Sequence, residues 1–201
     1  MSTTDTEMDR LHDLLVARAG DVDLLDVAYR VHDSPVGALL LAATGRGVVR
    51  VAFASEGHDA VLADLAERVS PRVLSAPGRL DSAARRLDDY FAGRATSVEV
   101  PVDLQLLGGY RREVVEALPR IAYGRTATYA EVAGLTGRPR AVRAVGSACA
   151  NNPVPLLLPC HRVVRSDGSE GGYRGGPEAK HLLLRLEAER DGAVGGSTVA
   201  P

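Results

Sequence analysis

Apolar residues recur at helical intervals through "EMDRLHDLLVARA" (7–19), with Met8, Leu11 and Leu15 along one face, and the run stops at Gly20. From residue 27 the period changes. The stretch "VAYRVHDSPVGALLLAATGRGVVRVAF" (27–53) reads as three strands, punctuated at Ser34-Pro35 and at the glycines flanking Arg46. Connections this short allow only antiparallel pairing, because a parallel crossover needs about a dozen residues. Helical spacing returns near 57–69 and 79–92, the second ending at Gly93, and "SVEVPVDL" (97–104) is extended and interrupted by a proline. Residues 1–105 therefore predict a small α+β unit, a meander sheet with helices packed on it.

Beyond residue 106 the pattern is mainly helical. "GYRREVVEALPRI" is amphipathic, with Val114, Val115 and Leu118 in line. "TATYAEVAGLTG" offers Thr128 and Glu131 as a capping box and closes at Gly137. Pro139 then suits the first position of a helix over "PRAVRAVGSACANN", which Pro153 prevents from continuing past Asn152. A last helix over 178–190 carries Leu182, Leu183 and Leu186, and the Gly/Ser-rich residues 191–201 read as a flexible tail. The two short helices joined at "TGRP" have helix-turn-helix form, with Arg138, Arg140 and Arg143 near the start of the second. Plain helix packing would give the same pattern.

Charge sharpens the division. The formal net charge of −2 hides an asymmetry: residues 110–190 hold 13 Lys and Arg against 8 Asp and Glu, whereas residues 1–109 hold 11 against 17. A polyanion contact by the second half fits this split, as does random surface variation. Lys180 is the sole lysine, and an arginine-dominated surface suits phosphate. The acidic start lacks the apolar core of a signal peptide, and no run is long enough to cross a bilayer. A cytoplasmic, reducing compartment is expected, with no membrane partner.

Chemistry concentrates in "LLLPCHRVVRSDGSEGGYRGG" (156–176). Two cysteines make no disulfide framework, and Cys160 lies between Pro159 and His161. A thiol needs a base to become a thiolate. His161 is adjacent, but neighbouring side chains on extended backbone diverge, so a water relay or a turn is required. Glu187 is a candidate to fix the imidazole tautomer. Cys149, beside Val145 and Ala148, reads as core. His12, His32, His58 and His181 show no ligand spacing.

"PCHRV" (159–163), with "NPVPLLL" before it and "GYRGG" after it, resembles the signature of the O6-alkylguanine-DNA alkyltransferases (methylated-DNA–protein-cysteine methyltransferases). The likeness runs closely over about 109–190 and loosely through "SPVGALLLAATGRGV" and "LDDYFAGR" before it. It implies an α+β protein: an RNase H-like N-terminal domain with a small antiparallel sheet, then a winged-helix/helix-turn-helix domain holding the reactive cysteine. It also implies base flipping and an irreversible, stoichiometric transfer of the alkyl group from O6-alkylguanine, or O4-alkylthymine, to Cys160. His161 would act as base through a water, Glu187 would orient it, and Asn152 would brace the turn. Tyr129 would press on the phosphate and donate a proton toward the purine, and Arg143 would fill the vacated stack. Tyr110, Arg138, Arg140 and Ser166 would meet DNA. Pro159, Tyr173 and Arg174 would line the guanine pocket. The partner implied is alkylated double-stranded DNA, met by a monomer with scope for cooperative assembly. No cofactor and no metal are expected, since the first 109 residues contain no cysteine for the zinc set of some eukaryotic members.

The chain departs from the family pattern at Val115, where many members have Trp, and at Glu170 and Arg174 in the pocket loop. Those two charges would alter which alkyl groups fit, or else pair with each other in solvent; loop charges favour the solvated reading. Three alternatives remain: a binding-only relative, which would lack the cysteine; a helix-turn-helix regulator using Cys160 as a sensor; and a Cys–His hydrolase, for which no protease signature is present.

Overall fold

Strands β1 (Val27–His32), β2 (Leu39–Thr44) and β3 (Gly47–Phe53) form the antiparallel meander that the turn signals require. The computed structural model describes residues 25–195 together with Glu7, Arg10, Leu11 and Leu14. Those four are helical, yet Leu11 and Leu14 are more than half exposed; the rest of the segment read as a helix over 7–19 lies outside the described residues.

Strand β2 is buried on both faces, and its alternation decides which core each residue feeds. Leu39 and Leu41 point into the main core, whereas Leu40 and Ala42 meet Val61 and Leu65 of helix α1 (His58–Arg68). Helix α2 (Asp81–Phe91) covers the opposite face through Ala84, Leu87 and Phe91. A fourth strand, β4 (Val73–Ser75), pairs parallel to β1 and makes the sheet order β3-β2-β1-β4. Three residues are too few to show alternation, so the pattern did not reveal it. The 97–104 segment is extended but bridges the sheet only at Val48 and Val102. Gly47 is required at that approach: a Cβ there would fall 2.4 Å from the carbonyl oxygen of Pro101.

The second half holds α3 (Gly109–Ala117), β5 (Ala127–Thr128), α4 (Tyr129–Leu135), α5 (Val142–Ala150), β6 (Val163–Val164) and α6 (Gly176–Gly195). The capping box forms: Thr128 Oγ1 accepts from the Glu131 N–H at 3.2 Å, and the Glu131 carboxylate accepts from the Thr128 N–H at 2.6 Å. Two expectations fail at helix ends. Pro139 does not open α5; the Ala141 N–H donates to the Arg138 carbonyl at 2.8 Å, so Pro139 and Arg140 occupy a turn and the helix starts at Val142. Helix α6 continues to Gly195, so a tail starting at 191 is too early.

The buried stripe of α6 is Ala179, Lys180, Leu183 and Glu187, at the three- and four-residue spacing of one helix face. Leu182 and Leu186 flank it, half-buried. The main core is shared by both halves, joining Phe53 and Leu87 to Val114, Leu158 and Leu183.

Candidate active site

The apolar run before Cys160 is a buried irregular loop, and such backbone must find partners for its polar groups. Asn152 supplies two of them. Its Nδ2 donates to the Leu158 carbonyl at 2.8 Å, and its Oδ1 accepts from the Val154 N–H at 3.1 Å. The Pro153 carbonyl accepts from the Val51 N–H at 2.8 Å, which stitches the loop to β3. Leu156 sits at φ 73°, the single non-glycine residue at positive φ among the described residues. Such strain persists only where surroundings fix it.

The chain then tightens into a 3-10 turn, Cys160–His161–Arg162, with all three residues buried. The turn separates Cys160 and His161 without the extended divergence that sequence adjacency suggested. His161 is fully buried and its Nε2 lies 2.8 Å from Glu187 Oε1. Nε2 therefore carries the proton and donates, leaving Nδ1 as the basic nitrogen. Nδ1 is buried and has no hydrogen-bond partner among the described residues. Burial holds the imidazole below its usual pKa against the opposing pull of Glu187, so the ring is neutral and able to accept a proton.

Glu187 is the hub. Besides His161 it accepts from the Tyr90 hydroxyl at 2.6 Å, from Arg162 Nε at 2.9 Å and from the Gly124 N–H at 3.1 Å. Burial works against its ionisation, but the bonds from His161, Arg162 and Tyr90 prevail and bring its pKa down to about 2. Arg162 also donates to the Ile121 carbonyl at 2.8 Å. The expected pair thus belongs to a larger buried network. Tyr90, Arg162 and Gly124 escaped sequence reasoning; the one available sign was an aromatic on the buried face of an 81–91 helix.

Cys160 is 4% exposed. Burial pushes its thiol up, while a hydrogen bond from Asn152 and the charge of Lys180 pull it back. Lys180, the sole lysine, is fully buried and donates to the Val163 carbonyl at 2.6 Å. Cys149 is half-buried against the core, and burial raises its thiol to about 12.

Tyr129 opens α4; burial raises its hydroxyl, with smaller contributions from Cys149 and Cys160. A Cβ on Gly171, at φ 68°, would lie 3.0 Å from that hydroxyl, so the glycine loop closes directly over it. Tyr173 packs edge-on to Phe53 and to His161, with ring centroids 5.5 and 6.3 Å away, and its buried hydroxyl has no partner. Pro159 is buried just before the turn. Arg174 is not a free pocket or solvent charge. Its guanidinium donates to Glu56 and to the Ala150 carbonyl, both at 2.8 Å, tying the loop to the first half and to the end of α5. Nor does it pair with Glu170, which meets His181 at 2.8 Å.

Three of the outer residues, Arg138, Arg140 and Arg143, belong to the helix-turn-helix formed by α4 and α5, whereas Tyr110 is on α3 and Ser166 follows β6. Arg138 lies 4.6 Å over the Tyr110 ring and bonds Glu113 at 3.1 Å, and Tyr110 shares a 2.7 Å bond with Thr136. Arg138 and Arg140 sit in the turn, whereas Arg143 is on the first turn of α5. Arg140, Arg143 and Ser166 are exposed and make no hydrogen bond or ion pair among the described residues.

A buried cysteine followed by a histidine that a buried glutamate holds, in the same half of the chain as a helix-turn-helix, fits a cysteine-dependent class of DNA-binding protein. Residues 27–104 match the ribonuclease-like domain of 6-O-methylguanine DNA methyltransferase, and residues 109–189 match its DNA-binding domain. The methylated-DNA–protein-cysteine methyltransferase of Mycobacterium tuberculosis is 37% identical over 164 residues, covering 82% of this chain and 94% of that one. The bifunctional transcriptional activator/DNA repair enzyme Ada of Escherichia coli is 36% identical over 169 residues, and the match spans 47% of its length. A solved structure of the M. tuberculosis protein in complex with DNA aligns at a TM-score of 0.70 and 36% identity, covering 81% of this chain and 94% of that one. The chain belongs to the methylated-DNA–protein-cysteine methyltransferase family.

Proposed function

We propose that the protein repairs DNA by moving an alkyl group from guanine O6, with O4-alkylthymine as a further substrate, onto Cys160 in one irreversible turnover. The observation that carries this reading is the ring of His161, next in sequence to Cys160: Nε2–H is held by Glu187, and Nδ1 is buried with no hydrogen-bond partner among the described residues. In the reaction the Cys160 proton passes, through a water, to Nδ1; the sulfur attacks the alkyl carbon; the C–O bond breaks; and guanine leaves with its oxygen charge relieved by a proton from Tyr129. A thioether is not readily cleaved, and no second thiol competes to remove the group, since Cys149 is held protonated.

The base must leave the duplex to reach a thiol this deep. Arg143 is suited to take its place, being exposed and uncommitted at the start of α5. Tyr110, Arg138, Arg140 and Ser166 offer a DNA-facing surface. Pro159 and Tyr173 bound the guanine pocket, and Asn152 keeps the cysteine turn in register. Arg174 acts here by anchoring the loop, not by touching the base. The protein works as a monomer on double-stranded DNA in the cytoplasm, with residues 1–105 supporting the catalytic unit at 106–190. Among the described residues no helix is long and apolar enough to cross a membrane.

Incubation with an oligonucleotide carrying O6-methylguanine, followed by intact-mass measurement, tests the reading. One methylene should be gained by the wild type and by Cys149→Ala, and not by Cys160→Ala. An unchanged wild-type mass at excess substrate would leave a binding-only protein.

A further inference from the structure

Lys180 is the sole lysine of the chain and is fully buried, with one acceptor among the described residues, the Val163 carbonyl, for its three N–H donors. A buried ammonium so poorly satisfied costs stability unless a charge answers it. Its position supplies the answer. Lys180 and Glu187 stand seven residues apart on one face of α6, two turns along the axis; Glu187 bonds His161 and Arg162 within the turn, and Lys180 bonds the carbonyl of Val163 directly after it. Glu187 meets the imidazole, and Lys180 favours the charged form of Cys160; burial lowers the ammonium's own pKa, Cys160, Cys149 and Glu170 oppose that, and Arg165 adds to it.

We propose that Lys180 is an electrostatic positioning residue whose ammonium is the counter-charge of the Cys160 thiolate, so that α6 supplies the opposite charge at both ends of the proton transfer. Moving the proton from sulfur to His161 Nδ1 leaves the new negative charge beside Lys180 and the new positive charge beside Glu187. No atom is gained or lost, and the total buried charge is unchanged.

The other groups around the sulfur do not supply this charge. Asn152, from the loop, is neutral. Cys149 of α5, Tyr129 of α4 and Tyr173 of the glycine loop are all held in their neutral forms by burial. Arg174 acts on Cys160 more weakly than Lys180 and is committed to Glu56 and Ala150. Arg162 is committed to Glu187.

The inference rests on Cys160 being the acceptor, and its test separates the two. Single-turnover transfer from an O6-methylguanine oligonucleotide is followed against pH in a Cys149→Ala background, for Lys180 and for two charge-free variants. Lys180→Gln can still donate to Val163, whereas Lys180→Met only fills the space. Both should move the rising limb of the pH–rate profile upward by one unit or more, equivalent to at least a tenfold loss near neutrality that returns at higher pH. A limb that stays in place in Lys180→Gln, with only the melting temperature lowered, would overturn the counter-charge and leave the acceptor assignment standing. Thiolate absorbance in the Cys149→Ala background gives a second readout. Ionisation of Cys160 at a lower pH with Lys180 than with Lys180→Gln supports the proposal; ionisation at the same pH in both sinks it.

Discussion

His161 and Glu187 lie 26 residues apart in sequence, and the helix α6 brings Oε1 of one within 2.8 Å of Nε2 of the other. That contact fixes which ring nitrogen is basic. It also makes Glu187 a structural ion, because Arg162, Tyr90 and Gly124 converge on the same carboxylate.

Glu187→Gln should therefore cost stability as well as transfer. It leaves the Arg162 guanidinium, 5% exposed, without its counter-ion, a loss of about 3–5 kcal/mol for a broken buried pair. Chemical denaturation gives the stability, and single-turnover kinetics give the rate. A fully stable variant with normal transfer would contradict the hub.

The pH dependence follows from the same group. The folded pKa of Glu187, about 2, lies below the unfolded value of ~4.3. Its contribution is complete above the unfolded value and is lost as pH falls toward the folded one. His161, held below its usual value by burial, adds to the loss from about pH 6.5 downward, because the unfolded chain binds that proton more readily. The melting temperature should fall from near neutrality to pH 3, and Glu187→Gln should start lower and fall less steeply.

Asn152→Ala should loosen the cysteine turn. Two buried backbone groups lose their partner, at roughly 1–3 kcal/mol each. Hydrogen exchange should quicken across 152–160 while α1 stays protected. Unchanged exchange there would remove Asn152 from its bracing role.

Gly175→Ala probes the seam between loop and sheet. Its Cβ would fall 2.6 Å from the Phe53 ring, so either β3 or the loop must shift, at about 1–3 kcal/mol. Transfer should slow because Tyr173 packs on the same ring. Normal rate and stability would mean that the loop yields freely.

Arg143→Ala should leave the melting temperature nearly unchanged, since an exposed residue without partners contributes within about 0.5 kcal/mol. Transfer from duplex DNA should drop more than transfer from free O6-alkylguanine. Equal losses on both would remove Arg143 from the stack. Rising salt should weaken DNA binding steeply, as phosphate contacts release counter-ions.

The linear pattern determined what local rules control. The strand–turn–strand meander, the Thr128–Glu131 cap and the Cys160–His161 adjacency all follow from residues a few positions apart. Position on the last helix added Glu187 as a candidate, and family likeness added Asn152. Tertiary structure decided what depends on distant elements meeting in a dry interior. Strand β4 exists because β1 offers an edge, not because three residues alternate. Helix phase turns Lys180 inward, and Arg174 looked solvated until Glu56 came within reach from the other half. Tyr90 and Arg162 became part of the relay only by converging on one carboxylate. A buried charge takes its role from neighbours remote in sequence, and only the folded chain determines which neighbours those are.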